Sequence, residues 1–136
     1  MLSLKGLSSG YGNAQVLNNI SFDVNPGEIV CLLGRNGAGK TTCMKTIMGL
    51  IRANAGSVEL NGETISSLPA HEVPKHGIGY IPQGRRLFAE LTVAENLEIG
   101  LMVRKQENNI RDQVLSMFPR LRERLDQRAE TLSGGE

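Results

Sequence analysis

The sequence predicts an α/β fold, and three observations carry that prediction. An apolar run without alternation, Glu28-Ile29-Val30-Cys31-Leu32-Leu33, leads directly into a glycine-rich stretch, Gly34-Arg35-Asn36-Gly37-Ala38-Gly39-Lys40-Thr41-Thr42. Beyond it, Cys43, Met44, Ile47, Met48 and Ile51 recur at the spacing of one helical face. Strand-like patterns then dominate the earlier part of the chain and helical ones the later part.

In order along the chain, Leu2 and Leu4, and then Ile20-Ser21-Phe22-Asp23-Val24, alternate with a period of two and predict half-buried strands. Gly10-Tyr11-Gly12-Asn13 between them reads as a turn, and Asn25-Pro26-Gly27 closes the second strand. The run from Glu28 to Leu33 suits a strand covered on both faces, as in a parallel sheet. Ser57 to Leu60 predicts a further strand, followed by Asn61-Gly62, a dipeptide that tolerates positive φ at both positions of a tight hairpin turn. Gly77-Ile78-Gly79-Tyr80-Ile81 predicts a short strand ended by Pro82, which has no N–H for a ladder. Thr92-Val93-Ala94-Glu95 has the form of a capping box and starts a helix with Leu97 and Leu101 on one face. Ile110, Val114, Leu115 and Phe118 mark another helix, stopped by Pro119. The chain contains no repeats, low-complexity tracts or evident linker.

At 136 residues the chain is one ordinary domain or part of a larger one. Its 40% hydrophobic and 21% charged residues exclude a disordered tail. Its apolar runs stop at about half a dozen residues where a bilayer span needs roughly 20. The N-terminus has no basic start followed by an apolar block, so a cytoplasmic chain is expected. A net charge of +1 gives no electrostatic reason to bind nucleic acid or lipid head groups, and any anion must be held locally. The absence of Trp and 4% aromatic content argue against a base-stacking platform for single strands, so no nucleic-acid partner is expected. Cys31 and Cys43 lack metal-ligand spacing and read as buried, reduced thiols.

Gly34-x-x-x-x-Gly39-Lys40-Thr41 matches the phosphate-binding loop at every fixed position. In that motif the glycines let successive backbone N–H groups converge on one concavity, and the helix start behind them adds roughly half a positive charge. Lys40 would reach the β- and γ-phosphates, Thr41 would ligate Mg²⁺, and Thr42 could hydrogen-bond the α-phosphate. A glycine-rich turn that merely starts a helix is the plain alternative. A dinucleotide-binding reading fails, because Thr42 and Pro82 stand where the third glycine would follow Gly37-x-Gly39 and Gly77-x-Gly79.

The loop alone leaves kinases, GTPases and transport ATPases open. Tyr11 upstream of it, Asn25-Pro26-Gly27-Glu28 before its strand, Gln83 after the short strand, and the terminal Leu132-Ser133-Gly134-Gly135-Glu136 form an ordered set. With that set the whole chain resembles the nucleotide-binding domain of ATP-binding cassette (ABC) proteins. Leu32 to Thr42, Tyr80-Ile81-Pro82-Gln83-Gly84-Arg85-Arg86-Leu87-Phe88 and Leu91-Thr92-Val93-Ala94-Glu95-Asn96-Leu97 are most similar to the ATPase subunits of branched-chain amino-acid importers and their urea-type relatives. The resemblance implies a P-loop NTPase fold of the ABC type, with an antiparallel β subdomain, the P-loop strand and helix, and the start of a helical subdomain. About 1–90 would form the core and about 91–136 the helical part.

It also implies roles. Tyr11, with Val16 beside it, would stack on adenine; the residues from Gly34 through Arg35, Asn36, Gly37, Ala38, Gly39, Lys40 and Thr41 to Thr42 would cradle ATP. Gln83 would touch Mg²⁺ and the attacking water. Ser133, Gly134 and Gly135 would clamp the γ-phosphate held by a second ATPase subunit, identical or related, and Arg85 to Phe88 would meet transmembrane permease subunits at the cytoplasmic face of the membrane. Taken alone, Tyr11 is a turn tyrosine, Gln83 a loop amide, Arg85-Arg86 a solvated pair, and Ser133-x-x-Glu136 a capping box. His71 and His76 have neither motif nor partner and read as surface residues. The family's Mg²⁺-anchoring aspartate, catalytic glutamate and switch histidine would fall beyond Glu136. Asp126 and Glu130 lack the apolar strand that should precede such a pair. The expectation is therefore the N-terminal part of an ATPase, with a gap in its sheet, exposed apolar edges and no turnover of its own. A soluble, non-transport ABC ATPase and a small P-loop kinase are the rival readings.

Overall fold

The structure is a computed structural model that describes residues 1–84, 86–102 and 109–133. It divides into two compact units, Met1–Tyr80 and Ile81–Glu136.

In the first unit, β1 (Leu2–Tyr11) lies between β2 (Ala14–Val24) and β3 (Ala53–Leu60), and β4 (Glu63–Thr64) extends β3. All pairings are antiparallel, with Leu4 opposite Phe22 on one side and opposite Val58 on the other. Asn61 and Gly62, at φ 51° and 87°, join Leu60 to its partner Glu63 in the two-residue turn that their residue types predict. The first hairpin is longer than its alternation suggests: Gly10 and Tyr11 belong to β1, and only Gly12-Asn13 turns. Register shifts on both sides of β1, between Leu4 and Leu7 toward β2 and between Lys5 and Ser8 toward β3, bend the strand. Leu7, Ser8 and Ser9 are consequently buried in succession instead of alternately.

Helix α1 (Lys40–Ile47) packs its Cys43, Ile47 and the following Met48 into one core with Leu4, Leu7, Leu17, Val58, Ile65 and Val73. The predicted face is rotated slightly: Met44 is 42% exposed, while Thr42 and Thr46 are buried. The amides of Gly49 and Leu50 return to the carbonyls of Thr46 and Lys45 at 3.0 and 2.9 Å, which ends the helix.

Two predicted strands do not form. Residues 28–33 pair with no strand among the described residues; Ile29 and Leu33 are each 91% exposed, and Cys31, expected to be buried, is exposed as well. A parallel strand takes its hydrogen bonds and its cover from flanking strands, and the antiparallel order β2-β1-β3-β4 puts none beside this run. Gly77 to Ile81 is likewise unpaired, although Ile78 and Tyr80 still pack against the core of the first unit. The α/β class and the antiparallel subdomain are as expected; the parallel layer is absent from the described residues.

In the second unit, α2 (Val93–Met102) begins at the predicted capping box. Thr92 N donates to Glu95 Oε2 at 2.7 Å and Glu95 N to Thr92 Oγ1 at 3.2 Å. The next two amides are also used, Val93 N reaching Gln127 O at 3.0 Å and Ala94 N reaching Leu125 O at 2.9 Å. α3 (Ile110–Met117) stops at Phe118, whose extended φ of −126° suits a residue before proline, and Pro119 opens the short α4 (Pro119–Arg122).

Candidate functional site

The start of α1 is the most distinctive chemical feature of the first unit. Gly39 is its N-cap in a left-handed conformation (φ 92°) with no side-chain capping bond, and no acidic residue lies in its first turn. The helical ladder starts with Cys43 N donating to Gly39 O at 2.8 Å. The amides of Lys40, Thr41 and Thr42 precede that bond, and no partner among the described residues takes them. The contrast with α2 is direct, since its first amides are taken by Thr92, Leu125 and Gln127.

The loop ahead of the helix is a compact turn, with Ala38 N donating to Arg35 O at 3.1 Å. Arg35, Asn36 and Ala38 are exposed, as is Gly37, at φ 84° with open space where a side chain would stand. The Lys40 ammonium folds back over the loop and donates to Gly34 O at 2.6 Å and Arg35 O at 2.8 Å. The Thr41 side chain is exposed and that of Thr42 buried. The assembled group is three adjacent backbone donors, one long-stemmed cation and one exposed hydroxyl, a set suited to an anion with several oxygens. The described residues contain no cluster of three His, Cys, Asp or Glu side chains able to hold a metal ion by themselves.

The hairpin contributes the wall. A Cβ placed on Gly39 would lie 2.9 Å from Leu17 Cδ2 and 3.3 Å from Val16 Cγ1, so β2 is packed directly against the loop. Val16 is thus at the loop, and Tyr11, 50% exposed, stands at the end of β1 opposite Ala14. In the second unit Gln83 and Ser133 are exposed, as are Arg86, Leu87 and Phe88. Arg85, Gly134, Gly135 and Glu136, and with them the second glycine pair, lie outside the described residues.

Three residues around these segments escape sequence reasoning. Ser9 and Thr46 form a buried hydroxyl pair at 2.7 Å; Thr46 interrupts the apolar face of α1 four residues after Thr42, the only hint available. Asn96 holds the turn before α2, accepting from Phe88 N at 3.0 Å and donating to Phe88 O at 3.0 Å and Thr92 O at 2.9 Å.

The family model described as ABC transporter matches residues 17–136. The high-affinity branched-chain amino acid transport ATP-binding protein BraG of Pseudomonas aeruginosa is 45% identical over all of this chain and 59% of its own length. The lipopolysaccharide export system ATP-binding protein LptB of Haemophilus influenzae is 41% identical over all of this chain and 58% of its own length. Among solved structures, an ATP-binding subunit of an ABC transporter superposes with a TM-score of 0.84 at 34% identity, covering 98% of this chain and 56% of that one. The chain thus spans less than two thirds of the relatives that it matches.

Proposed function

Because this chain belongs to the ABC transporter family, we propose that it is the nucleotide-binding part of an ATP-hydrolysing subunit of an importer for branched-chain amino acids or a similar small solute. The observation that carries the ATP reading is the uncapped start of α1, where three adjacent amides stand behind a glycine loop with a lysine folded across it. An uncapped helix start beside a lysine favours a polyanion by dipole and by charge.

Each residue then has a task. The untaken amides of Lys40, Thr41 and Thr42 face the phosphates, and Lys40 exchanges its two carbonyl bonds for oxygens of the β- and γ-phosphates. Thr41 would be one of the protein's ligands to Mg²⁺, which when bound would neutralise charge developing on the transferred phosphoryl group. Tyr11 stacks on the adenine ring, a contact worth about 1–3 kcal/mol in comparable base stacking, with Val16 at its side. Gln83 orients the attacking water. Ser133, Gly134 and Gly135 serve the nucleotide of a second ATPase subunit, identical or related, and the pair works on permease subunits at the cytoplasmic face of the membrane. No described helix is long and apolar enough to cross a membrane, so attachment would be peripheral.

The solute rests on the likeness to BraG and on the resemblance carried by Leu32–Thr42, Tyr80–Phe88 and Leu91–Leu97. The 41% identity to LptB favours a second reading, a cassette serving export, and a urea-type importer or a soluble ABC ATPase uses the same nucleotide site.

The test is calorimetric titration of Mg·ATP onto the chain with hydrogen exchange in parallel. Binding heat, protection of residues 34–42 and loss of both in Lys40→Ala are expected. No heat and no protection in the unaltered chain would overturn the reading. Hydrolysis should equal the buffer rate; turnover abolished by Lys40→Ala would show that the catalytic carboxylates are already present.

A further inference from the structure

The loop's amides can serve a nucleotide only if α1 is held at one height and one rotation on the sheet. Its packing there is mostly apolar, through Cys43, Ile47 and Met48. Such contacts are non-directional, so they resist separation far more than sliding. The directional contact is polar. Thr46 Oγ1 donates to Thr42 O at 2.8 Å, which uses its single hydrogen, so the 2.7 Å contact with Ser9 must be donated by Ser9 Oγ. The relay therefore runs from Ser9 on β1, through Thr46 on α1, to the carbonyl of Thr42 in the first turn of the helix. Ser9 is 0% and Thr46 1% exposed, and no buried side-chain polar atom among the described residues lacks a partner.

Ser9 also lies two residues before Tyr11, the end of β1. One strand thus carries both the anchor of the helix and the tyrosine proposed to stack on the base. We infer that Ser9 and Thr46 are positioning residues that set the distance between the base-binding tyrosine and the phosphate-binding amides; this rests on the nucleotide reading above. Without the Ser9 bond, α1 keeps its apolar contacts but loses its hydrogen-bonded link to the strand that carries Tyr11. A ligand spanning both places then suffers, and one that occupies the loop alone does not.

That difference supplies the test: affinities of Mg·ATP and of magnesium tripolyphosphate, which has no base, for the unaltered chain, Ser9→Ala and Thr46→Ser, at a temperature where each is folded by circular dichroism. Ser9→Ala should weaken Mg·ATP about tenfold, the scale of losing one hydrogen bond, and leave tripolyphosphate nearly unchanged. Thr46→Ser keeps the hydroxyl and should retain the ratio of the unaltered chain. If Ser9→Ala does not fold, Ser9→Cys, which keeps a side chain but weakens the donor, should give the same selective loss. A folded variant without the Ser9 hydroxyl that binds both ligands normally, or loses both by one factor, overturns the inference while the nucleotide reading stands. Failure of the unaltered chain to bind either ligand removes both.

Discussion

Replacing Gly39 by alanine tests the packing of the loop against the hairpin, and its magnitude can be worked from the structure. The residue sits at φ 92°, where an L side chain costs about 1–2 kcal/mol. The new methyl would lie 2.9 Å from Leu17 Cδ2, and Leu17 is buried in the core and has little room to withdraw. Overpacking of that kind typically costs about 1–3 kcal/mol. Restricting the unfolded chain returns about 0.4–1 kcal/mol. The net loss is about 3 kcal/mol. Gly37 is the control, since it has a similar φ of 84° but nothing within reach of an added methyl; Gly37→Ala should cost only about 1 kcal/mol by the same conformational reasoning. For a cooperative unit the size of Met1–Tyr80, these losses lower the melting temperature by roughly 12–24 °C and roughly 4–8 °C respectively. Thermal melts followed by circular dichroism measure both. Equal shifts, or a larger one for Gly37→Ala, would refute the claim that β2 is seated against the loop.

Two further outcomes follow from local chemistry. The Thr92 backbone amide, then its hydroxyl, hold the Glu95 carboxyl below the ordinary glutamate range. Its support of the first turn of α2 is therefore present above the ordinary pKa of about 4.3 and lost as pH falls through the lower folded value. In an NMR titration Thr92→Ala should raise the Glu95 midpoint, and an unchanged midpoint would count against the capping box. Exposed Cys31 should react with a maleimide in the folded chain. Cys43, buried and with its thiol pKa pushed up by burial, should react only after denaturation. Mass spectrometry should find one label before unfolding and two after; two labels on the native chain would mean that the core is open.

Features with local causes were legible in the residues. Asn61-Gly62 turns because both positions accept positive φ. The Thr92–Glu95 box forms because its donors and acceptors lie within one helical turn, and the phosphate loop is announced by residue types at fixed spacing. Asn96 was not legible, since its side chain works on carbonyls that become neighbours only when the turn before α2 closes.

By itself the sequence determined the α/β class, the place where the loop meets its helix, and the chemical character of that loop, because all three depend on residues close together along the chain. Only the tertiary structure decided which apolar stretches find cover. The run from Ile29 to Leu33 has the composition of a buried strand, yet all of it but the half-buried Leu32 stands exposed, because burial is a property of neighbours and none of the described strands pairs with it. It also decided that two hydroxyls 37 residues apart, Ser9 and Thr46, would meet inside the core. A polar side chain is stable there only when folding delivers its partner, and sequence spacing holds no record of that.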